Sequence, residues 1–434
     1  MNRSIIRVAC RGVFAALLLP LAATAAPGDP LGPETRINTP GAPDGIYAGT
    51  LARNASGFMV ASWEAHGPQG YGLYVQRLDA GGAPLATEQL VPGATNAAAG
   101  PVIALQDSGA FVLTWTEPGA SSAWTQVMAR RFDAAGNAVG PVLAVSGVES
   151  KAVHGNQAVA IAPNGDFAVA WSRKVWDLLD LTIPLGPNPT LTNTSSSAIM
   201  FRRYRADGTP VAEASRIAAG SRTYTPLIGV GIGRLLDGPA VALRGDGQAW
   251  LTWSSLPYGK QPTQIRLQRL AADGKTLGTA ALVGEALGVV DSTLMDLDAQ
   301  NNAVIAWLGG GSGRDVQLRR YDSAGQPRGE VMTAHTPSTE YGSRPQLAVA
   351  PGGSFVVGWT RKEPGDQWPP DFDAQARRFG ADGQPLAPEF RVNTQGPGHQ
   401  ALSGLGVDGA GNPAFLLRNE DPALGLYLKH YEGP

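Results

Sequence analysis

Apolar and polar residues alternate along this chain in short bursts, and the bursts recur. GFMVASW (57–63), GAFVLTW (109–115), GDFAVAW (165–171), GQAWLTW (247–253), NNAVIAW (301–307) and GSFVVGW (353–359) each place a tryptophan six residues after a glycine or asparagine. GNPAFLL (411–417) repeats the phrase without the tryptophan. Successive phrases are 52, 56, 82, 54, 52 and 58 residues apart, which apart from one insertion is the period of a propeller blade or an array. Within each burst the period is two, β-branched and aromatic residues dominate, and Gly, Asp and Asn stand at the ends. Each burst therefore predicts a strand.

A second phrase follows every burst: YVQRLDAGG (74–82), VMARRFDAAG (127–136), IMFRRYRADG (199–208), IRLQRLAADG (265–274), VQLRRYDSAG (316–325), AQARRFGADG (374–383) and LYLKHYEGP (426–434). A short apolar run precedes each burst, as in PVIALQ (101–106), and a fourth run follows each of the first six second phrases, as in PVLAVS (141–146). The unit is thus four strands, A to D. A four-stranded sheet with two apolar faces buries both only between like sheets, and a radial arrangement of seven does so. The expected fold is all-β: a seven-bladed β-propeller of four-stranded antiparallel blades.

The seventh set stops at Pro434, where its D strand should begin. Near the start, ETRINTPG (34–41) is a near-copy of EFRVNTQG (389–396), the D strand of the sixth set. Residues Glu34 to Thr39 are therefore expected to supply the missing outer strand and close the ring, leaving no open edge. This gives a propeller over 32–434, preceded by a short linker at 26–31. The phrases F-V-V-x-W, R-R-F-D-A-x-G-x-P and E-F-R-V-N-T resemble the tandem propeller repeats of secreted or cell-surface bacterial proteins. That resemblance implies fold and export and no activity. The single Trp-Asp dipeptide (176–177) does not recur as in WD repeats, and sialidase and kelch signatures are absent.

Arg3, Arg7 and Arg11, the apolar run 13–23 and the small residues 23–25 read as a signal peptide over 1–25, and no later stretch approaches transmembrane length. Cys10, the only cysteine, falls inside that leader, so disulfides and thiolate metal sites are not expected. Without the three leader arginines, 31 Lys+Arg face 36 Asp+Glu, a net charge near −5. With no basic block, nucleic acid is not an expected partner. A secreted or periplasmic monomer without cofactor is expected.

Alternating strand direction puts the B-to-C and D-to-A connections on one face. That face carries the long segments 172–197, 219–238, 334–344 and 360–373, and the other carries tight turns such as PNGD (163–166) and DAAGN (133–137). Binding residues concentrate on long loops held by a scaffold, which makes the first the candidate face. Residues repeated in every set read as framework: the tryptophans, and Arg77, Arg131, Arg203, Arg269, Arg320 and Arg378, expected to stack on neighbouring aromatics. The candidates are the residues that do not repeat. Trp124, Trp176, Tyr258, Tyr341 and Trp368 offer rings for sugars or protein partners. Glu64, Glu117, Arg173 and Arg361 follow closely after strand B, and His66, His154, His335 and His399 also fall on this face.

Two carboxylates across the mouth would suit acid–base work on a glycoside, but no spacing selects a pair. No ligand spacing among the histidines predicts a metal. Arg244-Gly245-Asp246 and DLDAQNN (296–302) sit at A-to-B turns and read as turns. The expected function is non-enzymatic recognition of a protein or glycan ligand through the loop face. The alternative is a carbohydrate-active hydrolase or lyase with carboxylates and arginines at the channel mouth.

Overall fold

The glycine-to-tryptophan bursts are strands, and each is the second strand of its set. In the computed structural model of the chain the described residues are 26–39, 46–95, 97–119, 124–180, 192–225, 230–290, 292–309, 315–336, 345–362, 372–394, 399–419 and 424–433. After β1 (Thr35–Arg36) come β2 (Ile46–Arg53), β3 (Met59–Gly67), β4 (Gly70–Leu78) and β5 (Gln89–Leu90). The second set is β6 (Ala99–Leu105), β7 (Phe111–Pro118), β8 (Thr125–Phe132) and β9 (Ala138–Ala144). The third is β10 (Ala152–Ile161), β11 (Phe167–Asp180), β12 (Thr192–Tyr204) and β13 (Ser215–Thr225). The fourth is β14 (Val230–Leu243), β15 (Ala249–Pro257), β16 (Thr263–Leu270) and β17 (Thr276–Ala286). The fifth is β18 (Thr293–Leu297), β19 (Ala303–Gly309), β20 (Asp315–Tyr321) and β21 (Met332–Thr333). The sixth is β22 (Gln346–Val349), β23 (Phe355–Lys362), β24 (Phe372–Phe379) and β25 (Phe390–Arg391). Last come β26 (Gln400–Val407), β27 (Pro413–Asn419) and β28 (Gly425–His430).

Within each set the strands pair antiparallel in chain order. The first strands of all seven sets line one central cavity. That is the arrangement of a β-propeller, and among the described residues every regular element is a strand.

Two features differ from the pattern read from sequence. The second, third and fourth sets form one continuous twelve-stranded sheet. A parallel bridge, Val153 to Thr125, joins the second and third, and β13 runs on into β14 through pairs from Arg222↔Gly233 to Thr225↔Val230. The described residues of the segments 172–197 and 219–238, expected as loops, are therefore strand, with β11 and β12 paired as far as Asp180↔Thr192. The sequence explains this. TNTSSS and SRTYT are β-branched and hydroxyl-rich runs, which extend a ladder without an apolar face to mark them. The outer strands β1, β5, β21 and β25 are only two residues long.

Packing follows the repeats. Trp63, Trp115, Trp171, Trp253, Trp307 and Trp359 are all buried. Stacked pairs such as Phe111–Phe132 at 4.6 Å and Phe355–Phe379 at 4.8 Å fill the space between strands B and C. Of the repeated arginines, Arg378 lies over a ring as expected, 5.8 Å from the Phe390 centroid. The six share a different contact, each reaching the segment after strand C of the next set and donating to backbone carbonyls: Arg77 to Ala134 at 2.9 Å, Arg203 to Ala272 at 2.7 Å, Arg320 to Ala381 at 2.6 Å and Arg378 to Glu432 at 3.2 Å. Turn carbonyls have no ladder partner, and a fixed guanidinium fork satisfies them. The turn glycine lets the arginine approach: at Gly136 (φ 82°) a Cβ would lie 2.6 Å from Arg77 Nε. The rings are covered by the preceding arginines, Arg202 over Tyr204 and Arg377 over Phe379.

The N-terminal phrase takes the place of an outer strand. β1 pairs with β28 (Thr35↔Leu428, Arg36↔Tyr427), and Ile37 N–H donates to Leu426 O at 2.9 Å just as Val392 N–H does to Ala374 O at 2.8 Å. Asn38 Oδ1 accepts Leu426 N–H, and Asn393 Oδ1 accepts Ala374 N–H, both at 2.9 Å. Both ends of the phrase reach adjacent sets. Glu34 Oε1 accepts Thr394 N–H at 2.5 Å, and Thr39 N–H donates to Glu88 Oε2 at 2.7 Å. Glu389 and Thr336 repeat this pairing at 3.1 Å. Residues 28–31, expected as linker, are also bound to the C-terminus, through Gly28 N to Glu432 O and Leu31 N to His430 O.

Ile37, 4% exposed, anchors this strand in the cluster of Leu51, Trp63 and Leu428. Ile37→Ala is expected to cost about 2–5 kcal/mol, as large-to-small core changes do, and chemical denaturation of the purified chain measures it. An unchanged midpoint would mean that the strand adds nothing to stability.

Candidate functional site

The loop-face end of the first set gathers four polar and aromatic side chains. β3 and β4 meet in a tight hairpin, Gly67↔Gly70, where Gly70 adopts φ 105°, a value side-chain-bearing residues avoid. Alternation along β3 puts Glu64 and His66 on one side, and the cross-strand partner of His66 is Tyr71. The Tyr71 hydroxyl donates a short hydrogen bond to Glu64 Oε1. That bond, with burial adding to it, pushes the phenol up to about 12. The His66 ring lies 4.6 Å from Tyr71, and Tyr47 meets Tyr71 edge-on at 6.4 Å. Tyr47 is 55% exposed. Its carbonyl is held by Arg418 Nη1 of the last set at 2.8 Å.

A second, ionic cluster lies on the same face between the third and fourth sets. Arg173 grips Glu149 with both forks, Nε to Oε2 at 2.7 Å and Nη2 to Oε1 in a shorter contact. This bond holds the Glu149 carboxyl below its ordinary range. Glu149 Oε2 faces His154 Nε2 at 3.4 Å. His154 Nδ1 accepts the Trp171 indole N–H at 3.0 Å, and burial pushes the imidazole down. Beside it Asp237 receives Ser172 Oγ and Asn156 Nδ2, both at 2.7 Å, and pairs with Lys174 Nζ. Asn156 adopts φ 47°, and it lies at the bulge of β10 between Gly155 and Ala158.

The remaining candidates divide. Glu117 is 6% exposed, and its Oε1 accepts Trp115 Nε1 at 2.7 Å and Thr95 N–H at 3.0 Å, so its bonds are to the framework. His335 Nε2 accepts Val316 N–H at 3.1 Å, the bond that Asn38 and Asn393 make in their sets. Arg361 pairs with Glu389 at 3.1 Å. His399 stacks on Phe372 at 5.2 Å, and Arg222 lies 4.4 Å from the Tyr258 ring centroid. Trp124 is half-buried, with its carbonyl accepting Gly119 N–H at 2.6 Å. Trp176 pairs with Ser195 within the extended hairpin. Tyr341 and Trp368 lie outside the described residues.

The structure therefore brings together Glu64 and His66, and separately Arg173 and His154. It adds Tyr47, Tyr71, Glu149, Asn156 and Asp237, which sequence reasoning passed over. Tyr47 and Tyr71 were detectable as aromatics at strand ends outside the tryptophan register.

The recess beside His66 on the loop face, lined also by Arg36, Asn38 and Glu88, holds only about 10 Å³. A cavity of about 560 Å³ lies instead between the inner strands, toward the tight-turn face. Among the described residues no helix is long and apolar enough to cross a membrane.

No family model matches the chain, and no curated protein does. Solved structures do. An ulvan lyase representing a new family of polysaccharide lyase is similar over 92% of this chain and 96% of its own, with 9% identity and a TM-score of 0.53. The same enzyme bound to a -[GlcA(1-4)Rha3S]- saccharide gives 10% identity and a TM-score of 0.52 over 94% of this chain and 95% of that one. A protein of unknown function from Dyadobacter fermentans gives 10% identity and a TM-score of 0.46 over 90% and 99%. The shared feature is the fold.

Glu64→Gln removes the charge that holds the Tyr71 proton. Spectrophotometric titration is expected to show one tyrosine moving from about 12 toward the ordinary value of about 10. An unchanged titration would separate Tyr71 from Glu64 in solution.

Proposed function

We propose that this protein is an exported, carbohydrate-active β-propeller that receives an acidic polysaccharide across its loop face. The observation that carries this reading is the first-set cluster: Tyr47 and Tyr71 offer rings for sugar faces beside the carboxylate of Glu64 and the imidazole of His66. Imidazole and phenol both serve as proton carriers. Within this reading, elimination is favoured over hydrolysis. Hydrolysis calls for two cooperating carboxylates, and among the described residues Glu117, Glu149, Asp237 and Glu389 are each engaged by framework groups or cations. The uronate-containing saccharide bound by the ulvan lyase of like fold points to the same substrate class.

The same proposal includes seven blades over 32–434 closed by 34–39, with 1–25 removed on export and the mature chain monomeric. Closure is supported by the bonds of Glu34 to Thr394 and of Thr39 to Glu88, which stitch the N-terminal strand to sets on both sides. A second reading, recognition without catalysis, is favoured by the shallowness of the recess beside His66.

The test is incubation of the mature chain with uronate-containing polysaccharides, following the ultraviolet absorbance of unsaturated ends. Activity is expected, with His66→Ala and Tyr71→Phe lowering kcat/KM by about a hundredfold or more at an unchanged melting temperature. Binding to such a polymer without any product would return the protein to pure recognition, and absence of both would remove the glycan reading.

A further inference from the structure

One register position on the inner strands is occupied by small residues in every set except the fifth. Three residues before the tryptophan position, strand B pairs across to strand A. The strand A partners are Ala52, Ala104, Ala160, Ala242, Ala348 and Gly406 in six sets. In the fifth set the partner, facing Val304, is Asp296. All seven line the cavity of about 560 Å³, a volume within the range of small-molecule sites. The next tier is aliphatic on six strands, among them Leu105, Ile161, Leu243 and Val349. The wall thus combines these aliphatic side chains with Arg53, Asp298 and Asn301, and Asp296 is the one carboxylate on the small-residue tier.

We infer that this cavity is a binding site for a small organic ammonium ion with an apolar body, and that Asp296 is its counter-ion. Asp296 Oδ2 accepts Val349 N–H and Oδ1 accepts Leu297 N–H, each at 2.8 Å. Each oxygen retains a lone pair for a ligand donor. Among the described residues no cation answers this charge. Arg53, the basic side chain in the wall, is committed to Asp408 at 3.1 Å and to Asn412 O at 2.9 Å. Asp298, the other acidic side chain there, is closed in its own turn by Asn302 Nδ2 at 2.7 Å. Burial pushes the Asp296 carboxyl up to about 6, the direction expected of a charge without a partner. A bound ammonium would reverse that cost, whereas a neutral ligand would not.

Pro163, Gly245 and Ala299, from A-to-B turns, form part of the wall, so the ligand enters from the tight-turn face. The site is independent of the loop face, and its failure would leave the polysaccharide reading untouched.

Isothermal titration calorimetry with benzylamine as probe tests the assignment, with benzyl alcohol as its uncharged counterpart. Saturable one-site binding of the amine is expected at neutral pH, about tenfold or more tighter than the alcohol, and weakening as pH falls through 6 and Asp296 takes up a proton. Asp296→Asn keeps an acceptor for Val349 N–H and removes the charge, so it is expected to fold normally and lose the preference for the amine. Ala160→Leu narrows the channel at the same tier, two sets from Asp296, and is expected to abolish binding of both probes. The inference is overturned if wild type shows no saturable binding, if Asp296→Asn binds the amine as wild type does, or if the alcohol binds equally well.

Discussion

Every sheet in this protein is apolar on both faces, and neither face can be buried except against another sheet. The rest follows from that constraint. The tryptophan of strand B, the aromatic pair between strands B and C, and the small residues of strand A recur because each sheet meets the same kind of neighbour. Apolar contact alone does not fix how far one sheet is rotated against the next. The repeated arginines supply that restraint, tying each set to the turn carbonyls of the following one, and the Glu-to-Thr bonds at the outer strands add a second tie on the other side.

A framework so heavily repeated sorts the remaining residues by a simple rule of strand geometry. Glu64 follows its tryptophan by one residue and Glu117 follows its own by two. Because side chains alternate across a strand, they go to different places. Glu117 turns back onto the Trp115 indole N–H, whereas Glu64 points to Tyr71 at the exposed end of its hairpin. The same economy explains His335, whose ring accepts the backbone N–H taken elsewhere by Asn38, Ser146 and Asn393. What remains after this sorting is concentrated in two places, the aromatic and ionic clusters of the loop face and the Asp296 carboxylate of the channel.

Much of the architecture was legible because strand period, turn residues and repeat spacing are local properties. The four-strand unit, its order and the role of ETRINT as an outer strand on the last sheet were all accessible in that way, and the pairing of Thr35 with Leu428 agrees. The extension of β11 to β14 was not, since hydroxyl-rich strands without an apolar face look like loops. Nor was the target of the repeated arginines, because a turn carbonyl some sixty residues along, such as that of Ala381 for Arg320, leaves no mark in sequence.

By itself, then, the sequence determined an all-β chain of repeated four-strand units whose first strand belongs with its last three. Hydrophobic period and turn chemistry act between near neighbours, and a repeat makes them readable many times over. Only the tertiary structure decided which chemical groups meet. It brought Tyr47 and Tyr71 to Glu64 and His66, and carried Asp237 across to Lys174. It also turned Asp296 from the edge of a supposed turn into the one charge on an inner tier of alanine and glycine. Proximity between sets depends on the rotation of each sheet against the next, and that rotation is set by packing across the whole molecule rather than by any segment of the chain.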